Sequence, residues 1–422
     1  MRAASTGSGA GSVETAGGTE AARLTVVHVV TVPISLYFLS GQASVLSKYG
    51  ICVHAISSPG PEVAALADKE GLTVHAVPMT RRITPLQDLV ALWRIWRTLR
   101  RIRPEIVHAH TPKAGLLGML AAWLARTPVR VYHMRGLRWL TASGLSRWLL
   151  RLTDRTACLL ADRVIAVSHS TRTIAVEQGI CPGDKIKVLF GGSGQGVDAT
   201  ARFVPLGEPA RLAARAQHGI PEDAPVIGFV GRLARDKGVV ELASAWRRLR
   251  EADPRLHLLL VGQLEVEGAL MADAVAALQA DARVHFTGLD WNTPPLYAAM
   301  DVVALPTYRE GFPNVALEAA AMELPIVATS VPGCTDAVQD GVTGTLIAPR
   351  DPAALEAALQ RYLTDPPLRA RHGEAGRHRV LAEFRREAIC EAIAAEYRSL
   401  LETCLPTPSH PDGRGVPVRE CT

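Results

Sequence analysis

The residues able to do chemistry gather in the second half of this 422-residue chain. In PTYREGFPNVALEAAAMELPIVAT, Glu310 and Glu318 stand on either side of a junction between an apolar run and a helix-forming one. VVALP reads as a buried strand ending at Pro306, and Pro313 suits the first turn of the helix that ALEAAAM would form. Glu310 then falls in the strand-to-helix turn and Glu318 one to two turns inside the helix. A helix start offers free backbone N–H groups and the positive end of a dipole, both suited to a diphosphate. Gly311 in the same turn permits close approach of backbone to a ligand. Two carboxylates so placed divide the work: Glu318 accepts hydrogen bonds from a ribose diol, and Glu310 meets the hydroxyls of a sugar. The competing reading is a solvated loop residue and a solvent-facing helix residue.

Upstream, FVGRLARDKGV ends a buried strand at Gly231 and follows it with Arg232 and Lys237. Lys237 is placed to start the next helix. Both cations can converge on a diphosphate leaving group and neutralise its developing charge, as a metal ion does elsewhere. The plain alternative is two surface cations. No Asp-x-Asp stands in a turn position, and the seven cysteines show no CxxC pair or metal-like spacing. The pattern therefore predicts no metal and no cofactor, and thiols that mostly fill core volume in a reduced compartment.

These segments need a scaffold that delivers several strand ends to one place. From Leu24, short β-branched runs alternate with longer helical patterns: Leu24–Thr31, Ile51–Ile56, Thr73–Val77, Ile106–His110, Arg130–His133 and Arg163–Val167 as strands, Pro85–Ile102 and Gly115–Ala125 as helices. The alternation breaks over residues 191–219 and restarts with PVIGFVG, LHLLLVG, VHFTG, VVALP, PIVATS and TGTLIA. The prediction is an α/β chain of two doubly wound parallel sheets facing across a cleft. The expected units are an N-terminal Rossmann-like domain over 23–205 and a second over 206–384, joined by a linker near 199–220. Arg385–Leu401 carries apolar residues at fourfold spacing, so 385–404 reads as an amphipathic helix crossing back to the first domain. Residues 1–22 and 405–422 read as disordered tails.

A net charge of +5 suits an anionic ligand or membrane surface, and no nucleic-acid module is visible. No apolar run reaches membrane-spanning length and the first residues lack a signal-peptide core, which predicts a cytoplasmic protein. LWRIWRTLRRIR (92–103) and WLTASGLSRWLLRL (139–152) mix Trp and Leu with Arg. That is the composition of a helix lying on an anionic bilayer, and equally of tryptophans packed inward beneath a solvated arginine face.

Taken together, these segments resemble the GT-B fold retaining glycosyltransferases of family 4, from about Leu24 to Leu401. The resemblance rests on a Glu-x₇-Glu motif at Glu310 and Glu318 and a Gly-Arg…Lys-Gly clamp at Gly231, Arg232, Lys237 and Gly238. It implies that Glu310 contacts the donor sugar and Glu318 the nucleotide ribose, with the amides of Gly311, Phe312, Pro313 and Asn314 around sugar and phosphate. In the first half, IVHAHTPKAG looks like the strand end at the cleft. His108 and His110 share one face there, and His110, nearer the carboxyl end, is the better candidate for the sugar. The alternative for either is a hydrogen-bonded core histidine. Lys113 would lie near acceptor or phosphate, and Arg135 where an anionic acceptor phosphate can use it. VTVPISLYFLSGQ and YHMRGLRWL resemble the subgroup that builds capsular, exopolysaccharide or lipid-linked glycans. Gln195 in GGSGQGVD stands where relatives tend to have Asn. The resemblance thus implies a nucleotide-sugar donor, commonly a UDP-sugar, and a glycan or polyprenyl-diphosphate-linked acceptor delivered from the inner face of the cytoplasmic membrane. Two rivals are a sugar-nucleotide epimerase or hydrolase on the same fold, and a non-catalytic binding subunit.

Overall fold

A computed structural model describes residues 24–404. The expectations for 1–22 and 405–422 fall outside the described residues. Two parallel sheets organise the chain. The first contains β1 (Leu24–Val29), β2 (Ile51–Ser57), β3 (Thr73–Ala76), β4 (Ile106–His110), β5 (Val129–Met134), β6 (Arg163–Ala166) and β7 (Ile186–Lys187), in the order β3-β2-β1-β4-β5-β6-β7. The second contains β8 (Val226–Val230), β9 (His257–Val261), β10 (Val284–Gly288), β11 (Val302–Leu305), β12 (Ile326–Thr329) and β13 (Gly344–Ile347), in the order β10-β9-β8-β11-β12-β13. Central strands such as VIGFV and HLLLV are buried along their whole length, because helices cover both faces. Each sheet therefore has two apolar cores, one per face.

Strand order reverses between β1 and β4 in the first sheet and between β8 and β11 in the second. A crevice opens at the carboxyl ends of the strands at such a reversal, because the flanking connections leave on opposite faces. The residues after β1 and β4 and those after β8 and β11 line the same cavities, so the two crevices face each other.

Three details differ from the sequence reading. The 199–220 stretch contains a helix, Glu208–Gln217. It is docked by a fully buried Arg215 that pairs with Asp301 at 3.1 Å and donates to the carbonyls of Glu222 and Ala224. Lys237 ends a single 3-10 turn, Arg235–Lys237, and the α-helix begins at Val239, after Gly238 with φ 75°. Pro313 lies just before the helix Asn314–Ala321, at its cap.

The last helix, Arg386–Cys404, buries Ile389, Ile393, Tyr397 and Leu400 against residues of the first sheet such as Val26, Ile106 and Val129. Contacts between the halves also run through Ser170 Oγ, which lies 2.5 Å from Asp336 Oδ2 and accepts from the Gly333 N–H at 2.8 Å. Among the described residues, no helix is long and apolar enough to cross a membrane. Of the free thiols described, Cys158, Cys181, Cys334 and Cys390 are buried.

Candidate active site

The second sheet supplies one wall of the cleft. β8 stops at Val230, and Gly231 continues at φ 143°, a conformation that disfavours any side chain. Gly262, after β9, packs directly onto the Gly231 carbonyl and leaves no space for a β-carbon. These two glycines thus open the floor of a cavity of about 400 Å³, which Glu318, Gln263, Trp291 and Arg202 also line. Glu318 accepts a hydrogen bond from the Tyr297 hydroxyl at 2.8 Å, and burial pushes its carboxyl pKa up. An acceptor in a half-apolar cavity suits the hydroxyls of a ribose. Glu318 therefore does not face open solvent.

Next to it, a cavity of about 320 Å³ is lined by Lys237, Gly231, Arg135, the turn Glu310–Pro313 and the first residues of the following helix, Asn314 and Val315. Here Lys237 Nζ lies 2.5 Å from Glu310 Oε1, with both side chains largely shielded from solvent. Arg232 pairs with Glu265 and, at 3.3 Å, with Asp236. Arg232 and Lys237 are thus brought to one cavity, and each is held there by carboxylates. Asn314 Oδ1 accepts from Ser193 Oγ at 3.0 Å, which ties the start of its helix to the first half. Phe312 packs on Phe384, with ring centroids 5.4 Å apart.

Gly311 lines the cleft, and it also makes a contact that its sequence context did not suggest. A β-carbon there would overlap the carbonyl oxygen of Arg135, and Gly136 lies against the same Cα. The close approach is between the two halves of the chain.

The first half places its residues less evenly. Lys113 lines the cleft, but its ammonium sits 2.6 Å from Asp88 and also donates to the Arg82 carbonyl. His108 and His110 are buried and do not reach the cleft surface. They belong to a stack with His28 and His133. His108 meets the Tyr397 hydroxyl at 2.5 Å and His133 at 3.1 Å. Arg135 Nε donates to His110 Nδ1 at 3.3 Å, so the proton of neutral His110 lies on Nε2 and is donated to His28 Nδ1 at 2.8 Å. His28 must then carry its proton on Nε2, which is buried without a partner. Burial first, then the nearby Arg135 and neighbouring histidines, pushes the pKa of His110 well down, and burial and Arg135 lower His28 to about 3. Donor atoms of His28, His108 and His110 lie within 4.8 Å of one another, close enough for a metal ion. Both ring nitrogens of His108 and His110 are already engaged, however, and the Arg135 guanidinium opposes a second cation there.

Arg135 is the member of this group that reaches the cleft. Its guanidinium lies 4.4 Å over the Phe38 ring, and burial lowers its pKa to about 9. Its Nη2 is shielded from solvent and has no hydrogen-bond partner.

Sequence reasoning missed two groups. Tyr37 and Trp291 stack across the two halves at the rim of the larger cavity, centroids 3.7 Å and planes 14° apart. Tyr37 comes from TVPISLYFLSG, a stretch valued only for its likeness to relatives. Arg202 and Arg386 also line that cavity, and they come from the interdomain connection and the last helix, where no local pattern marks a site. Gln195 lines both cavities, with its Oε1 buried and unpaired.

Comparison with known proteins places the chain among glycosyltransferases. The family pattern described as Glycosyl transferases group 1 matches residues 210–379, and that of the Glycosyl transferase 4-like domain matches residues 7–192. The capsular polysaccharide biosynthesis glycosyltransferase CapM of Staphylococcus aureus is 32% identical over 377 residues, covering 89% of this chain and 97% of that protein. A D-inositol 3-phosphate glycosyltransferase of Stackebrandtia nassauensis is 33% identical over 351 residues, 76% of each chain. Among solved structures, Anabaena HepE in complex with UDP and glucose superposes with a TM-score of 0.75 at 21% identity, covering 89% of this chain and all of that one.

Proposed function

Because this chain belongs to the GT-B glycosyltransferases built from a 4-like and a group 1 domain, we propose that it moves a sugar from a nucleoside-diphosphate donor, with retention, to a glycan or polyprenyl-diphosphate-linked acceptor in cell-surface polysaccharide synthesis. The observation that carries this reading is the meeting of Lys237 and Glu310 beside Arg232, one cavity away from Glu318. The relation to CapM, named for capsular polysaccharide biosynthesis, and the fold shared with a UDP-bound neighbour support the acceptor class and a UDP donor.

In this reading the ribose rests on Glu318 and the diphosphate on Arg232 and Lys237, with the sugar against Glu310 and the amides of Gly311 to Asn314. The bond from the sugar C1 to the phosphate oxygen breaks, and its electron pair leaves with the nucleoside diphosphate. Arg232 and Lys237 stabilise that charge in place of a metal ion. An acceptor hydroxyl attacks from the same face, and its proton passes to the departing phosphate. His110 acts through Arg135, whose orientation it fixes.

The acceptor side also has a surface suited to a bilayer. The helices Pro85–Ile102 and Gly144–Leu160 expose Leu86, Leu89, Trp93, Leu145 and Trp148 among arginines. Trp93 is 51% exposed, whereas Trp96 packs against the core. This favours a cytoplasmic protein held peripherally at the inner membrane face; flotation with anionic liposomes that leaves all protein in solution would remove it.

The deciding experiment supplies a panel of UDP- and GDP-sugars with and without a polyprenyl-diphosphate sugar and measures released nucleotide. Release that needs both one donor and the lipid acceptor supports the transferase. Release without acceptor moves the assignment to a hydrolase, conversion of one donor into another without release to an epimerase, and binding with neither to a non-catalytic subunit.

A further inference from the structure

The cleft is more cationic than a nucleotide-sugar needs, and the surplus lies on one side. A cavity of about 270 Å³ between the halves is lined by seven cations and two carboxylates. Four cations are matched within ion-pair distance: Lys113 with Asp88, Lys237 with Glu310, Arg232 with Glu265 and Asp236, and Arg309 with Asp236. The other three, Arg81, Arg135 and Arg138, have no carboxylate within 4.0 Å among the described residues, and all three belong to the first half.

Their positions are fixed by the fold. Arg138 stands between Leu137 and Trp139, both fully buried, so its backbone is pinned to the core. The segment leading to Arg81 is held by Ser58, whose hydroxyl accepts from the Met79 N–H at 2.8 Å and lies 2.6 Å from the Met79 carbonyl. Arg81 and Arg138 also line a second, open groove of about 770 Å³ that shares Arg232 and Arg309 with the inner cavity. They therefore stand where the open groove adjoins the inner cavity that Glu310 lines. Partial desolvation in the cleft, then Arg309 and Arg232 nearby, lowers the pKa of Arg138, against an opposing pull from Asp236 and Asp154. At the inner end, the shielded Nη2 of Arg135 has no hydrogen-bond partner among the described residues, a polar group whose desolvation no hydrogen bond there offsets.

We propose that Arg81, Arg138 and Arg135 form an anion subsite, separate from the donor clamp, that binds a phosphate or diphosphate on the acceptor. This rests on the transferase reading above, in which Arg232 and Lys237 are taken by the donor. Guanidinium groups suit the task because their planar fork meets phosphate oxygens two at a time. A ligand with negative charge close to its reacting hydroxyl is thereby held with the hydroxyl toward Glu310, and neutral sugars lack the handle.

The test uses the full chain saturated with UDP, so that the donor clamp is filled, and titrates inorganic pyrophosphate by calorimetry. The comparison is a double variant, Arg81→Gln with Arg138→Gln, which alters two exposed side chains and leaves Arg135 in its packing. Wild type should bind one pyrophosphate, the variant at least about 10-fold more weakly, with UDP affinity unchanged within about twofold. No pyrophosphate uptake by UDP-saturated wild type, or equal affinity in the variant, overturns the subsite while the donor assignment stands. Failure of wild type to bind UDP at all overturns the transferase reading and the subsite with it.

Discussion

Gly311 in the second half packs its Cα against the carbonyl of Arg135 in the first, with no room between them for a β-carbon. Next in sequence to Gly311 is Glu310, and Arg135 bonds to His110, so one backbone contact sets the spacing between Glu310 and Arg135 across the cleft. Gly311→Ala should push the halves apart without disturbing the apolar cores of either sheet. The expected result is a fall in kcat/KM of about 100-fold or more, the scale on which small misplacements act. The melting temperature should move by less than about 5 °C, and small-angle scattering should show a larger radius. Normal kinetics in that variant would show that the contact does not set the geometry.

Lys237→Ala should lower turnover by about 100- to 1,000-fold, the usual cost of removing one preorganised charge from a developing anion. The same change frees Glu310 from its 2.5 Å ion pair. A modest loss of stability is therefore expected, and thermal unfolding beside single-turnover rates separates the two effects.

Glu318→Gln keeps an oxygen for the Tyr297 hydroxyl, now at 2.8 Å from the carboxylate, and removes the charge. Affinity for UDP should drop about 10-fold, or about 1.4 kcal/mol, with the fold unchanged. Because burial raises the carboxyl pKa, UDP affinity of wild type should begin to weaken at a higher pH on acidification than an exposed carboxylate would allow. The variant should lack that limb of the pH profile.

Asp154 gives a stability test away from the cleft. It is fully buried, accepts from the Tyr132 hydroxyl at 2.8 Å, and burial raises its pKa to about 7. The folded chain keeps this proton between about pH 4 and that value, whereas the unfolded chain has released it. Wild-type stability should thus fall as pH rises through the window, and the penalty is complete above it. Asp154→Asn cannot titrate, so it should gain on wild type between about pH 4 and about pH 8, by at most about 4 kcal/mol. Denaturant midpoints at the two ends check this, and an equal gap at both would contradict it.

The sequence by itself determined the architecture and the polar residues of one cleft wall. Uninterrupted apolar runs such as LLLVG have only one stable use, a strand covered on both faces, and their alternation with helices dictates parallel order. Glu310, Arg232 and Lys237 were legible for a related reason: each stands in the connection after a strand end, so local spacing carries it to the cleft, and Glu318 lies only about one turn inside the helix that begins at Asn314. Tertiary structure alone decided what lies across from them. Burial placed His108 and His110 inside a histidine stack, because the last helix and its Tyr397 cover a strand end that looked open in one dimension. The task of Gly311 and the Tyr37–Trp291 stack likewise depend on how two separately folded sheets are set against each other. So does the division of cleft arginines into paired and unpaired. Long-range charge pairing leaves no periodic trace in a sequence, since partners such as Arg232 and Glu265 need only meet in space.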